Sequence, residues 1–265
     1  MNKLNLALAD GAIVAKRNLI KIKRVPDILV FTLMSPIMFV LLFAYVFGGS
    51  IDLPGDLNYR EFLLAGVFVQ TVIFGSTFSG AGMADDMQKG IIDRFRSLPM
   101  SPAAVLVGRT ASDIVNNVLS LGVMSATGLL VGWRIRTSVP EAVLGFLLIL
   151  AFAYAISWVM TYVGLVVPTP EVVNNASFMF IFPLTFIANT FVPSDNLPSV
   201  LRAFAEWNPV SAVTQAAREL FGNGPAATGA WSLEHPVVYG LIWVGIILAV
   251  FVPLSVRKYQ QAANK

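Results

Sequence analysis

The chain has 265 residues, of which 56% are hydrophobic and only 12% are charged, and its mean hydropathy is +0.73. A soluble globular domain carries about a quarter charged residues, so this composition excludes an ordinary water-soluble enzyme. The absence of cysteine excludes a disulfide framework and a thiolate site, and the single histidine, His235, gives little basis for a histidine metal site. The net charge of +3 gives no reason to expect a nucleic-acid partner, because the basic residues lie mostly on one predicted side of a membrane, as the next paragraphs describe.

The charged residues cluster between long uncharged runs, which is typical of a multi-pass membrane protein. An apolar helix needs about 20 residues to cross the hydrocarbon core of a bilayer. Six segments meet this requirement: 28–47, 62–83, 114–133, 142–167, 172–192 and 237–256. Pro168 and Pro170 predict a tight turn between the fourth and fifth segments. The predicted fold class is therefore an all-α integral membrane protein with six transmembrane helices.

The distribution of lysine and arginine predicts the orientation of these spans. Most of these residues precede the first span, lie between the second and third, or follow the sixth. Because cytoplasmic loops carry an excess of lysine and arginine, we expect both termini to be cytoplasmic. The long apolar run and the lack of a small-residue cleavage site predict that the first span is retained in the mature protein.

Residues 1–25 have the pattern of an amphipathic helix. Apolar residues recur three and four positions apart, at Leu4, Leu8, Ala12, Ala15, Leu19 and Ile22. Such a helix lies in the cytoplasmic interface with its basic residues toward the phosphates of membrane lipids, and the alternative is a disordered basic tail. The predicted domains are this interface helix, a six-helix transmembrane domain over 26–256 and a cytoplasmic tail over 257–265.

The segment 84–102, between the second and third spans, predicts a short cytoplasmic helix. Asp85 or Asp86 can cap its start, and Pro99 ends it. Its apolar residues share one helical face: Ile91, Ile92, Phe95 and Leu98. A helix with such a face, ringed by charge, can dock into a groove of a partner protein. The alternative is an ordinary surface loop whose apolar side rests on lipid or on a neighbouring helix.

The segment 193–236, between the fifth and sixth spans, predicts two short helices. The first carries an apolar stripe, and the second begins with Asn208 as its cap and Pro209 at its first position and ends at Gly222. Both are too short to cross a membrane, but they can enter it as a re-entrant pair if protein covers their ends. The alternative is a helical hairpin that lies on the outer surface.

Two stretches give the sequence a resemblance to a known family. The loop reads GIIDRFRSLPMS from Gly90, with Asp86 in the acidic position before it and Leu98-Pro99 near its end. The outer segment contains Leu197-Pro198, Trp207-Asn208-Pro209 and Arg218. With the six spans, these features make the sequence similar to the type-2 ABC transporter permeases, and most of all to the daunorubicin-resistance branch. Many members of that family carry Glu at the position of Asp86.

The resemblance implies a half-transporter in a bacterial cell membrane that pairs with a second copy or a paralogue and exports a hydrophobic or amphipathic compound such as a drug, an antibiotic or a lipid. It implies that the loop is a coupling helix that receives motion from a cytoplasmic ATPase. The residues concerned are Asp86, Gly90, Ile91, Ile92, Arg94, Phe95, Arg96, Leu98 and Pro99. The sequence has no Gly-x-x-x-x-Gly-Lys-Ser/Thr phosphate loop. We therefore expect no cofactor and no enzymatic activity in this chain, with ATP and magnesium bound by the ATPase subunit.

The resemblance also implies that spans one, two and five line the transport path. The candidates in spans two and five are Gln70, Phe74, Asn175, Phe182, Phe186 and Asn189. An aromatic and polar wall suits an amphipathic, partly aromatic compound. The alternative for each residue is helix–helix packing, which polar and small side chains commonly mediate in membranes.

The main alternative function is a carrier driven by an ion gradient, with no ATPase partner. Such carriers place carboxylates near the membrane midplane, whereas the one acid here that leans into a span is Asp113. Arg109 lies four residues earlier, so we expect the two to form a structural pair at the interface rather than a proton relay. A third class, an intramembrane enzyme, finds no catalytic constellation among the scattered acids and the single histidine.

Overall fold

The computed structural model of the chain describes residues 20, 34, 36–47, 58–91, 102–194, 197–224 and 229–263. Within these residues all regular structure is helical, and the last turn of the first helix is a π-helical turn, Phe43–Phe47. The helices are α1 (Pro36–Val46), α2 (Tyr59–Gln88), α3 (Pro102–Val131), α4 (Val139–Val166), α5 (Pro170–Phe186), α6 (Ser199–Trp207), α7 (Pro209–Phe221), α8 (Trp231–Glu234) and α9 (Pro236–Ala263).

Four of the described helices are long and apolar enough to cross a membrane: Tyr59–Gln88, Val105–Val131, Val139–Val166 and Pro236–Gln261. They correspond to the predicted second, third, fourth and sixth spans, and each is longer than predicted. The described part of the predicted first span is the shorter apolar helix α1. The predicted fifth span contains α5, which has 17 residues and is about 25 Å long.

Local sequence explains where several helices begin and end. The side chain of Asn58 accepts a hydrogen bond from the Arg60 N–H at the start of α2, and Thr169 caps α5 just before Pro170. Asn208 caps α7 as predicted, by accepting from the Val210 N–H at 2.9 Å. Gly222 ends α7 with a φ of 69°, a left-handed conformation that favours glycine.

Helix α2 forms the centre of the molecule. It packs against α4, α5 and α3 and is buried over most of its length, while α9 packs on α4 and α7. Gly80 of α2 and Gly164 of α4 let the two backbones touch, since a β-carbon on Gly164 would overlap the carbonyl of Gly80. Small residues at such crossings are how membrane helices gain close packing.

The prediction that one helix forms the whole of the fifth span is wrong. The sequence pattern predicts a helix over 172–192, but α5 ends at Phe186, and residues 187–192 form turns and bends. The apolar composition continues through this stretch, so hydropathy does not reveal the end of the helix. In this stretch the backbone carbonyls of Asn189 and Thr190 accept hydrogen bonds from the buried side chain of Arg218.

The predicted start of the short helix in 84–102 is also wrong. Helix α2 continues to Gln88, so Asp85 and Asp86 lie in its last turn rather than at the start of a new helix. Gly90 follows with a φ of 62°. Gly90 and Ile91 are described, whereas the other predicted coupling residues, Ile92, Arg94, Phe95, Arg96, Leu98 and Pro99, lie outside the described residues, as does nearly all of the predicted helix over 1–25.

The two short helices predicted in 193–236 are both present as α6 and α7. They differ in their surroundings, because almost every residue of α7 is buried whereas α6 exposes Val200, Phe204 and Trp207. Helix α7 packs against α2, α4 and α9. The 193–236 segment therefore has one helix inside the protein and one amphipathic helix on its surface.

Candidate functional site

A cavity of about 400 Å³ lies between α1, α2 and α5, with a contribution from α3. Small-molecule sites typically occupy about 300–1,000 Å³ and combine an apolar wall with a few polar groups. The wall here follows that description, because aromatic rings dominate it and hydroxyl and amide groups are interspersed. The lining residues are Pro36, Phe39, Val67, Gln70, Thr71, Phe74, Gly75, Thr77, Phe78, Ser120, Phe178, Phe182 and Phe186.

Aromatic rings continue from the cavity past the end of α5. Phe178, Phe182 and Phe186 stack along one face of the helix, with centroids 5.1 Å and 4.0 Å apart. They share this face because residues four apart on a helix are neighbours. Beyond the helix, Phe186 meets Phe191 at 4.9 Å, and Phe191 stacks on Phe43 of α1 at 4.8 Å. These faces form a row on which a flat apolar molecule can stack.

The structure brings four of the six predicted path residues together in this cavity: Gln70, Phe74, Phe182 and Phe186. Asn175 is exposed on α5 and is not part of the lining. Asn189 is buried in the stretch after α5, where its backbone N–H donates to the Ser211 hydroxyl at 3.0 Å. Of the predicted coupling residues, only Asp86, Gly90 and Ile91 can be located.

Sequence reasoning missed the contribution of α3 to the wall. Ser120 lines the cavity, and Asp113 and Asn117 precede it at intervals of seven and three residues. These spacings place the three side chains on one helical face. This polar stripe within an otherwise apolar span is visible in the sequence, and it could have predicted that α3 contributes to the cavity wall.

Arg218 holds the stretch that follows α5. It is fully buried in α7, and its Nη2 donates to the carbonyls of Asn189 and Thr190 at 2.7 and 2.9 Å. Its Nε donates to the Phe62 carbonyl at 3.0 Å, and the guanidinium lies 3.4 Å from the centre of the Phe62 ring. Buried carbonyls outside a helix need donors, and this side chain supplies them for Asn189 and Thr190 while it also bonds to a carbonyl within α2.

A second polar cluster ties the loop between α3 and α4 to the end of α7. Arg136 donates through two nitrogens to the carboxylate of Glu61, at 2.8 and 2.9 Å. The carboxylate raises the pKa of Arg136, chiefly through the hydrogen bond that it accepts. Asn223 accepts from the Trp133 indole at 2.6 Å and donates to the Arg134 carbonyl at 2.7 Å. The cluster fixes the start of α2 beside α7.

At the opposite end of α2, two acids lie where the helix dipole disfavours negative charge. Each has a cation nearby. Asp85 pairs with Lys89 at 2.8 Å, and the hydrogen bond raises the pKa of Lys89. Asp86 is mostly buried and pairs with Arg109 of α3 at 2.8 Å. The Asp86–Arg109 pair therefore links α2 and α3 where the 84–102 segment joins them.

The predicted pair between Arg109 and Asp113 is wrong. Arg109 turns to Asp86 on the neighbouring helix, which becomes possible because Gly82 leaves room for the guanidinium against α2. Asp113 is buried, and its Oδ2 has no hydrogen-bond partner in the described part of the chain. Helical spacing alone could not distinguish a neighbour on the same helix from one on the facing helix.

Among the residues that the structure describes, no group of three or more histidine, cysteine, aspartate or glutamate side chains comes close enough to hold a metal ion. The cavity wall contains no ionisable side chain. The arrangement can bind an apolar molecule through aromatic and hydroxyl contacts, and it offers no group for covalent or acid–base chemistry there.

Comparison with known proteins agrees with this picture. The profile of the ABC-2 type transporter family matches residues 11–221. A daunorubicin resistance ABC transporter permease of Streptomyces coeruleorubidus is 33% identical over 244 residues, which are 92% of this chain and 83% of that protein. A probable doxorubicin resistance ABC transporter permease of Mycobacterium tuberculosis strain H37Rv is 23% identical over 230 residues, 86% of this chain and 80% of that protein. A putative transport permease of Cyanophora paradoxa is 22% identical over 80% of this chain and 73% of that protein.

The matched range of the family profile includes both the cavity-forming helices and the Asp86–Arg109 pair. The comparisons favour an ATP-driven system over a carrier driven by an ion gradient, because both the profile and the similar permeases belong to ABC transporters, in which a separate ATPase serves a permease subunit. The chain belongs to the ABC-2 type transporter family, as a multi-pass membrane permease subunit of an ABC exporter that works with an ATPase partner.

Proposed function

We propose that this permease exports an amphipathic, aromatic compound of the drug or antibiotic type, and that the cavity between α1, α2 and α5 is the binding site on its path. The observation that carries the proposal is the row of stacked rings from Phe178 to Phe191, which lines the cavity and continues beyond it. The names of the similar permeases, which concern resistance to daunorubicin and doxorubicin, support the same class of compound.

The proposed topology has six spans in a bacterial cell membrane with both termini in the cytoplasm. The four long apolar helices and the apolar helix α1 support five of these spans. Helix α5 with the residues after it would supply the remaining span, which is the fifth along the chain. The proposed re-entrant pair is α6 and α7, and the burial of α7 against three other helices supports its place within the bundle. The proposed domains are an interface helix over 1–25, a transmembrane domain over 26–256 and a cytoplasmic tail over 257–265. The transmembrane domain includes the coupling segment 84–102 and the re-entrant segment 193–236.

The proposed assembly joins two permeases and two ATPase subunits, with ATP and magnesium on the ATPases. Asn174 and Asn175 are exposed on α5 next to the exposed apolar side chains of Val172 and Phe178. Because an amide facing lipid lacks hydrogen-bond partners, a second copy or a paralogue packed against this face would supply them. The proposed coupling segment runs from Asp86 through Pro99, and the ion pair of Asp86 with Arg109 would carry its motion into α3.

The test compares two phenylalanines of α5. Phe182 lines the cavity, whereas Phe180 is 71% exposed and is not part of the lining. The purified permease and its ATPase are reconstituted in lipid vesicles, and ATP-dependent transport of daunorubicin is measured. We expect Phe182→Ala to raise the concentration for half-maximal transport about tenfold. A bound compound would lose its stack on this ring and the burial of the ring's apolar surface, which together are worth about 1.5–3 kcal/mol.

The matched variant Phe180→Ala should leave that concentration within about twofold of the wild-type value, because its ring does not line the cavity. Equal effects of the two substitutions at equal protein yield would show that the cavity is not on the path. Absence of ATP-dependent transport by the wild-type complex, for daunorubicin and for other amphipathic aromatic compounds, would contradict the proposed function itself.

A further inference from the structure

Gln70 is a buried amide on the wall of the cavity. The residue is 6% exposed and lines the cavity, and its amide forms no hydrogen bond with any of the described residues. Ser120, on the α3 side of the wall, is 8% exposed, and its hydroxyl also has no hydrogen-bond partner within the described part of the chain. A buried polar group without a partner is costly. An occupant of the cavity that supplies the missing partner is therefore favoured over one that does not.

The contacts between α2 and the chain around α5 place Gln70 beside the row of stacked rings. The Phe74 and Phe178 ring centroids are 6.2 Å apart. Two turns earlier on α2, Gly66 packs against the backbone of Thr190, just after α5. The two segments therefore run antiparallel, and Gln70 lies midway between these contacts. That register places Gln70 at the level of the middle ring of the α5 stack.

The middle ring of that stack is Phe182, which lines the same cavity as Gln70. A compound in contact with this ring therefore lies level with the amide. An amide both donates and accepts hydrogen bonds, so it can pair with a carbonyl or with a hydroxyl. None of the described residues that line the cavity is ionisable, so the polar group that this wall suits is a neutral one.

We propose that Gln70 determines specificity by hydrogen-bonding a neutral oxygen substituent, a carbonyl or a hydroxyl, of the aromatic compound in the cavity. This inference rests on the proposed export function and adds a selection among its compounds. A hydrocarbon of the same shape leaves the amide unpaired in an apolar wall, and a site with a polar group to satisfy discriminates strongly against such an analogue. Ser120 offers a second polar contact to a compound that carries two oxygens.

The experiment uses the purified complex of the permease with its ATPase in lipid nanodiscs. The two probes are fluorene and 9-fluorenone, flat three-ring compounds that differ only in a methylene or a carbonyl group at one position. Binding of each tritiated probe is measured by equilibrium dialysis, and binding to empty nanodiscs of the same lipid is subtracted. The quantity compared is the preference for fluorenone, which is the Kd of fluorene divided by the Kd of fluorenone.

The decisive variant is Gln70→Met, which keeps the length of the side chain and removes its hydrogen bonds. We expect it to lower the preference for fluorenone about tenfold, because fluorenone loses a hydrogen bond and fluorene no longer leaves an amide unpaired. Gln70→Leu has a different shape and should lower the preference to the same extent. Each variant is compared at equal yield and with the same elution profile as the wild type.

Two control variants separate hydrogen bonding from the rest of the cavity wall. Thr77→Val changes a hydroxyl on the same wall that already donates to the Phe74 carbonyl at 2.7 Å, so the preference should stay within about twofold of the wild-type value. Phe182→Ala should weaken binding of both probes equally, because it removes a stacking surface and leaves the amide in place.

The outcomes distinguish this inference from the proposed function. A wild-type preference in Gln70→Met, or a preference that only Gln70→Leu lowers, would overturn the role of the amide while leaving the cavity as a binding site. Binding of both probes that Phe182→Ala does not weaken would show that the cavity is not the site. A wild-type complex that binds neither probe and whose ATP hydrolysis neither probe stimulates would contradict export of aromatic compounds, and the role of Gln70 with it.

Discussion

Arg218 occupies a place where a positive charge is normally costly. In the described part of the chain its guanidinium has no carboxylate partner, and it bonds to three main-chain carbonyls and lies over the Phe62 ring. Carbonyls are acceptors that an arginine can satisfy with its fixed fork of donors. The cost of burying the charge is offset because two of those carbonyls, of Asn189 and Thr190, lie outside a helix after α5 and need a donor.

Arg218→Met should destabilise the protein strongly. Methionine has a similar volume but donates no hydrogen bonds, and each buried carbonyl left without a partner costs about 1–3 kcal/mol. Arg202→Met on α6 is the matched control, because Arg202 is 41% exposed and pairs with Glu206 at 3.5 Å, and exposed pairs contribute about 0–1 kcal/mol. Thermal unfolding in detergent should show a large fall in Tm for the first variant only. Equal Tm values for the two variants would contradict this role.

At the scale of the elements, the sequence predicts helices well wherever hydropathy and capping residues agree. The caps at Asn208 and Thr169 and the stop at Gly222 are predictable because each depends on one side chain and its own backbone. The end of α5 at Phe186 is not, because it depends on Arg218, which lies 32 residues further along the chain. The cavity shows the same limit: Phe182 and Phe186 follow from the pattern of one helix, but Ser120 joins them only through packing of α3 against α2.

The crossing of α2 and α4 yields a prediction about stability. Gly164→Ala would force a methyl group against the Gly80 carbonyl, and neither backbone can yield without separating the two helices. Overpacking of this kind costs about 1–3 kcal/mol. Gly245→Ala on α9 adds the same methyl group where nothing lies within 4 Å of it. We expect a lower Tm for Gly164→Ala and an unchanged or slightly higher Tm for Gly245→Ala, and a tolerated Gly164→Ala would show that the crossing is looser than described.

At the scale of the whole molecule, helices α2 and α3 join the 84–102 segment to the cavity. The Asp86–Arg109 pair bonds α2 to α3 where the 84–102 segment joins them, and further along α3 Asn117 packs on Gly75 of α2 and Ser120 lines the cavity. Two helices that share buried polar contacts move together more readily than past one another, because each shift leaves a group without its partner. Motion applied to the 84–102 segment would therefore reach the cavity through α2 and α3.

The proposed docking of this segment on the ATPase gives the last prediction. The resemblance to type-2 ABC permeases assigns the contact to the apolar face of Ile91, Ile92, Phe95 and Leu98. Burying a large apolar side chain contributes about 1.5–3 kcal/mol, and about 1.4 kcal/mol corresponds to a tenfold change in affinity. Phe95→Ala should therefore weaken binding of the ATPase to the membrane-inserted permease roughly tenfold or more. Binding is measured by titrating the purified ATPase onto the permease in nanodiscs.

Two variants make that measurement specific to the proposed contact. Arg96→Glu should have a milder effect that depends on salt concentration, because charges at the rim of an interface act more on the rate of association than on affinity. Phe204→Ala removes the same ring from the exposed face of α6, in the segment proposed to lie on the outer side, and should leave ATPase binding unchanged. Wild-type affinity of the Phe95→Ala permease for its ATPase, at equal insertion into the membrane, would show that this segment is not the docking site. Motion of the ATPase would then have to enter the permease through another cytoplasmic surface.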